Sequence, residues 1–375
     1  MTVTELKGMT WDHPRALNSL VASNDLLKSS LGISISWDAR SLLAFGDQHI
    51  SEFYKDYDLM IIDHPHVPDA VHAGAVLPFE ELLSADELAI LARTSVGPSH
   101  DSYFYQGKHW ALAIDTAAQV SAFRPDMSDA SPVFWSDVLD LAKTGKLLWP
   151  YKPVDAYSTF ATLMAQKGAP LAASKLFIEE DTALEVLSML VELAALVPDF
   201  CSKSNPIDIA EELSSGDTYS HGICLYGYSN YSHTGFRKHR LVYEDVPSFD
   251  GLASGSQIGG AGIAISSTTS NPTAASRASL LLSLPEIQST TYGLSGGQPG
   301  NLMAWKNHRL NEVTAGFYSN TLRTLERSWV RPRLLGWPDV QFQISLVIHK
   351  VLMESKFNKA TVNQIAGLYS RYIKE

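Results

Sequence analysis

The stretch YDLMIID, residues 57–63, restricts the fold more than any other part of the chain. Its four consecutive apolar residues, Leu59 to Ile62, leave no polar face, so a strand there has to be covered on both sides. Upstream, GISISWDA (residues 32–39) alternates apolar and polar positions as a half-buried strand does. Leu17, Leu20, Val21, Leu26 and Leu27 stand before it at helical spacing. Residues 41–57, SLLAFGDQHISEFYKDY, return to the helical pattern and predict a helix between the two strands. With a first strand ending near Thr10, the order is βαβαβ within the first 63 residues. Parallel strands with right-handed crossovers, and hence an α/β class, follow from that order.

The 375 residues exceed what one hydrophobic core normally serves, so two lobes are expected. A net charge of −11 with no basic run disfavours nucleic acid as a partner. The longest apolar stretch, LEVLSMLVELAALV, is too short for a bilayer span of about 20 residues and is broken by Glu192, which excludes membrane insertion. Cys201 and Cys224 are expected to be free, because a chain of this length needs no disulfide staple. The first fifteen residues, MTVTELKGMTWDHPR, lack the basic start, apolar run and cleavage site of a signal peptide. The sequence as it stands is therefore expected in the cytoplasm, or in the periplasm or outside the cell if a leader was removed.

Further along, SYFYQGKHWALAI reads as two short strands around a Gln106-Gly107 turn. Helical patterns follow in VFWSDVLDLAKTG, AYSTFATLMAQKG and ALEVLSMLVELAALV. HGICLYGYS and GSQIGGAGIAISS read as strands, and PTAASRASLLLSL and the last 60 residues as helices. There is no internal repeat.

Ligands of open α/β sheets bind beyond the carboxyl ends of strands. Three polar clusters fall at such ends: Thr10, Trp11, Asp12, His13 and Arg15; Trp37, Asp38, Arg40 and Ser41; and Asp63, His64 and His66. Asp12 and Asp38 read equally well as helix N-caps, and Arg15 could pair with Asp12 to brace the helix start. In DHPH (63–66) the proline suggests an extended turn, and without a third ligand at recognisable spacing a hydrogen-bonding role outweighs metal binding. No metal and no cofactor is expected. Asp12-His13 and Asp63-His64 are possible acid–base couples, since imidazole titrates near neutrality; as cleft groups they would only hydrogen-bond. GGAG (259–262) and SGGQPGN (295–301) match no phosphate-binding pattern, so their glycines serve turns or close approach of backbone to a ligand. Trp11, Trp37, Tyr226 and Tyr228 could stack on the C–H faces of a sugar, or could fill core with a polar tip satisfied.

Taken together, these segments resemble the family 1 extracellular solute-binding proteins, the carbohydrate-binding components of ABC importers. YDLMIIDHPHVPDAVHAGAVLPFEELL is similar to the family's strand, loop and helix entry, and DSYFYQGKHWALAIDTAAQVSAFRPDM to its crossover between lobes. AEELSSGDTYSHGICLYGYSNYS, the long segment from GGAGIAISS to GGQPGN, and SWVRPRLLGWPDVQ resemble its later helix, strand and return segments. The resemblance implies a two-lobed periplasmic-binding-protein type II fold, each lobe a mixed sheet flanked by helices and discontinuous in sequence. It places residues 1–116 and 252–303 in lobe 1, and 117–251 and 304–375 in lobe 2, with the ligand in the cleft and hinge closure around it. By position it carries over the loops Thr10 to His13, Trp37 to Ser41 and Asp63 to His66, then Asp115, Tyr157, Tyr226 to Asn230, Gly259-Gly260 and Gly296 to Gly300.

The expected function is capture of a small polar, carbohydrate-like solute. Its contacts would come from Thr10, Trp11, Trp37, Arg40, Ser41, His66, Asp115, Tyr157, Tyr226, Tyr228, Asn230, Gly259, Gly297 and Gln298. The membrane subunits of an ABC transporter would be partners if the chain is exported. The alternative is a cytoplasmic isomerase, dehydratase or lyase on the same fold, with Asp12, His13, Asp63 and His64 moving protons.

Overall fold

The computed structural model describes residues 3–41, 49–173 and 177–373. The chain divides into two compact units. Unit 1 comprises Met1–Ala117, Gly259–Glu312 and Arg333–Leu335, and unit 2 comprises Ala118–Ile258, Val313–Pro332 and Gly336–Glu375. In chain order the strands are β1 (Thr4–Trp11), β2 (Ile33–Arg40), β3 (Leu59–Ile62), β4 (Val76–Leu77), β5 (Phe104–Tyr105), β6 (Lys108–His109), β7 (Leu112–Phe123), β8 (Leu147–Leu148), β9 (His221–Tyr226), β10 (Val242–Glu244) and β11 (Ile258–Ser266). The chain first leaves unit 1 inside β7, after Ala117, and returns at the start of β11, at Gly259.

In unit 1 the strand order is β2-β1-β3-β11-β7. β1 is parallel to both β2 and β3, as the βαβαβ order predicts, whereas β11 is antiparallel to β3. β3 is buried throughout, with Leu59 and Ile61 in one apolar cluster and Met60 and Ile62 in the other. Strand alternation thus sends one run of sequence into two cores. The helical pattern after β1 is realised as two helices, Pro14–Ala22 and Asn24–Leu31, which meet at Ser23; Gly32 ends the second with φ 65°. The predicted helix over residues 41–57 falls partly outside the described residues. The described part holds the 3-10 turns Ile50–Glu52 and Tyr54–Asp56, not a helix. Ile50 and Phe53 are drawn into the second apolar cluster, and this packing overrides the local pattern. The expected hairpin is present: β5 and β6 pair antiparallel around Gln106 and Gly107, both at positive φ.

In unit 2, β7 pairs antiparallel with β9 and β10, and β8 runs parallel to β9. A register shift between Val120 and Ala122 accompanies a positive φ at Cys224, the geometry of a β-bulge. The helix Pro153–Gln166 is buried along most of its length. Its serine and threonine hydroxyls, on Ser158, Thr159 and Thr162, are satisfied from within the unit. The Gln119 amide donates to Thr159 at 3.2 Å, the Thr162 hydroxyl donates to Gln119 at 2.6 Å, and the Trp149 indole donates to Thr159 at 3.0 Å. Cys201 and Cys224 are free and buried, and burial pushes their thiols up to about 11 and about 12. Among the described residues no helix is long and apolar enough to cross a membrane.

Candidate functional site

The loop after β1 is organised by His13. It is the N-cap of the helix Pro14–Ala22, and its Nδ1 accepts the Arg15 amide at 3.1 Å. The N-cap is therefore His13, not Asp12. Asp12 is exposed, and its carboxylate makes no hydrogen bond or ion pair among the described residues, so the Asp12-His13 acid–base couple is not formed. Arg15 does not brace Asp12 either. Its side chain turns into the unit and grips Asp115 with two nitrogens, Nε at 2.8 Å from Oδ2 and Nη2 on Oδ1. Burial pushes the Asp115 carboxyl above its ordinary range, against the opposing pull of Arg15 and of the Gln298 amide. Trp11 is 5% exposed and packs in the apolar cluster with Leu6, Ala16 and Leu20, which favours its core role over stacking.

At the second strand end, β2 runs through Trp37 and Asp38 to Arg40. The Trp37 ring lies against Gly8, where a Cβ would come within 2.5 Å of it; Trp37 thus packs on β1 while its Nε1 has no hydrogen-bond partner. Asp38 is not a helix cap. It pairs with Lys7 at 3.0 Å and accepts the Tyr57 hydroxyl at 3.2 Å, and these contacts hold it below the usual carboxylate range. The Arg40 guanidinium sits 4.1 Å over Phe53, and Ser41 is exposed. His64–His66 is a 3-10 turn, not an extended one, capped by Asp63, whose Oδ1 accepts the His64 amide at 2.8 Å. The same oxygen is 3.1 Å from His64 Nδ1, so this couple is in contact; His66 is half-buried. Among the described residues no group of three His, Cys, Asp or Glu side chains comes together as a metal site.

The glycine-rich stretches pack closely within unit 1. Gly260, with φ 119°, lies so close to β7 that a Cβ would be 2.4 Å from the Asp115 carbonyl, and at Gly297 a Cβ would meet the Tyr292 ring at 2.4 Å. Gln298 is fully buried, and its side chain donates to the Thr116 carbonyl at 2.9 Å. Gly259 is half-buried.

Unit 2 holds the remaining candidates. Tyr226 closes β9, and its hydroxyl accepts the Gln257 amide at 2.7 Å; the same amide nitrogen reaches Ser158 at 3.1 Å. Tyr228 and Asn230 follow in and before the turn Ser229–Ser232 and are 8% and 6% exposed. Tyr157 is fully buried, and burial pushes its phenol above the ordinary range despite the nearby Arg331. Gln257 and Arg331 were not singled out in the sequence. The signal for Gln257 was a lone amide directly before an apolar strand.

Several of these residues share one property. Thr10 Oγ1, Trp37 Nε1 and Thr116 Oγ1 in unit 1, and Tyr157 OH, Asn230 Oδ1 and Gln257 Oε1 in unit 2, are buried polar atoms with no hydrogen-bond partner. Buried polar groups are normally satisfied, so such atoms mark strain, function or a missing partner. These six belong to uncharged side chains, which can exchange hydrogen bonds with hydroxyls but cannot neutralise an ion; Asp155 Oδ2 in unit 2 is likewise buried without a hydrogen-bond partner and belongs to a carboxyl.

The fold is that of the sugar-binding solute-binding proteins of ABC transporters. Maltose-bound MalE3 of T. maritima superposes with a TM-score of 0.81 at 15% identity, covering 98% of this chain and 100% of that one. A solute-binding protein of Agrobacterium radiobacter K84 in complex with ribitol gives 0.78 at 16% identity, over 98% of each chain. One of Agrobacterium vitis S4 with bound D-mannitol gives 0.78 at 14% identity, again over 98% of each. No family model matches the sequence, and no curated protein sequence does either.

Proposed function

We propose that this chain is the solute-binding protein of an ABC importer and captures one small, uncharged, polyhydroxylated solute, a sugar or polyol, without transforming it. The observation that carries the reading is the set of uncharged buried polar atoms left without a protein partner, four of them on residues assigned to the ligand from sequence: Thr10, Trp37, Tyr157 and Asn230. A polyol offers donors and acceptors to such atoms and asks for no counter-charge. Structures of the same fold hold maltose, ribitol and D-mannitol, which supports that ligand class. In this reading Tyr226 and Tyr228 add aromatic faces, while Arg40, Ser41, His66, Gly259 and Gly297 lie at the edge of the ligand set. The chain then works outside the cytoplasm and delivers its solute to the importer's membrane subunits.

The acid–base alternative keeps one of its two couples, Asp63-His64, and one experiment separates the two readings. Thermal unfolding is followed with maltose, ribitol and D-mannitol, and each mixture is then watched by NMR over hours. A ligand that binds only the folded state raises its stability, by about 2.7 kcal/mol at a hundred times Kd. A rise with the ligand's spectrum unchanged is the expected result. Conversion of the ligand at a rate abolished by His64→Ala would replace binding by catalysis.

A further inference from the structure

We infer that Arg15 and Asp115 are positioning residues: their buried pair fixes the loop Thr10–His13 for the ligand, and Asp115 itself makes no ligand contact. The inference rests on the reading of that loop as ligand-facing. Both Asp115 oxygens are taken by the Arg15 guanidinium, whose side chain is 4% exposed against 1% for Asp115. A guanidinium held by two parallel bonds has a fixed plane, unlike an ammonium on a flexible stem. Through Arg15 the grip reaches the loop directly, because the Arg15 amide donates to the ring of His13, the residue that starts the helix. Through Asp115 it reaches two other segments assigned to the ligand. The Gln298 amide supports the carboxylate, the Thr116 amide donates to the Gln298 carbonyl at 2.9 Å, and Gly260 backs onto the Asp115 carbonyl. Three stretches far apart in sequence therefore meet at one buried residue, two of them at its carboxylate and the third at its backbone carbonyl, two residues before the chain leaves unit 1.

The test compares the full chain with Arg15→Lys, which keeps the charge and loses the fork, and with Asp115→Asn. Amide hydrogen exchange is measured first, since it needs no ligand. Exchange over residues 10–16 should accelerate by about tenfold or more, while the helix Pro153–Gln166 in unit 2 keeps its protection. Unchanged exchange over residues 10–16 in a folded Arg15→Lys chain would overturn the inference, and so would equal acceleration everywhere. Should Asp115→Asn not fold, Arg15→Lys alone decides. Ligand-induced thermal shifts with maltose, ribitol and D-mannitol come second. A shift lost or weakened about tenfold in apparent Kd in the variants supports positioning, and wild-type affinity in a chain with a loosened loop refutes it. If the wild-type chain responds to none of the three, the sugar-binding reading fails, while the exchange data still decide whether the pair orders the loop.

Discussion

Arg15 Nε lies 2.8 Å from Oδ2 of Asp115, a hundred residues further along the chain, and a second nitrogen of the same guanidinium holds the other oxygen. Breaking a buried pair leaves an uncompensated charge in the interior, which costs about 3–5 kcal/mol. Arg15→Ala is expected to lose that much in urea unfolding. Asp12→Ala, which removes an exposed carboxylate without a partner, should stay within about 0.5 kcal/mol of the parent chain. Equal losses in the two variants would mean that Arg15 is braced locally after all.

Gly260 is the backbone counterpart of that pair. Its φ of 119° suits no L side chain, and a Cβ would sit 2.4 Å from the Asp115 carbonyl and 2.5 Å from Thr116 Cα, both rigid backbone. Gly260→Ala should therefore cost more than about 3 kcal/mol, seen as a large fall in Tm or as loss of soluble protein. Gly107, with φ 82° but nothing within 4 Å of a built Cβ, is the control. Its alanine variant pays only for the left-handed backbone, about 1 kcal/mol.

These two positions also show where reading the sequence stops. The parallel start of unit 1 was legible because YDLMIID has no polar face, and the hairpin because Gln106-Gly107 sits between short apolar runs. The partner of Arg15 was not legible: a buried pair with a hundred residues between its members leaves no periodic trace, and Asp12 stood three residues away. The close packing at Gly260 and Gly297 was not legible, because sequence shows the missing side chain and not the neighbour that requires it to be missing. The N-cap was misplaced by one residue, since His13 does with a ring nitrogen what Asp12 would do with an oxygen. For residues 50–56 the helical period was real, yet burial of Ile50 and Phe53 broke it into turns. Which polar atoms lack partners, the basis of the ligand reading, exists only in three dimensions.

Asp155 makes the stability of the protein depend on pH. It lies in the first turn of the helix Pro153–Gln166, 3% exposed, with Oδ2 lacking a partner; burial pushes its carboxyl up to about 7, Lys152 opposing and Asp208 reinforcing the rise. A folded-state pKa above the unfolded value means that folding takes up a proton. The stabilisation is complete below about pH 4 and is lost as pH rises through 7, a loss on the order of 4 kcal/mol for this group. Asp155→Asn, which cannot ionise, should raise Tm clearly at pH 8 and much less at pH 5. A gain of the same size at both pH values would show that the carboxyl is not protonated on folding.

Tyr157 and Thr10 separate stability from function. The hydroxyls of both are fully buried and without a partner, Tyr157 in unit 2 and Thr10 on β1 in unit 1. Removing an unsatisfied polar group while keeping the shape of the side chain is nearly neutral or stabilising. Tyr157→Phe and Thr10→Val should therefore match or exceed the parent chain in Tm without ligand. If these hydroxyls meet a solute, each variant loses a hydrogen bond in the bound state, worth about 1 kcal/mol and so about fivefold in Kd. Titration of the responding sugar or polyol into both variants checks this. A stable variant with weakened binding places the hydroxyl on the ligand, whereas unchanged affinity in both would remove Tyr157 and Thr10 from the binding set and leave their burial without a functional reason.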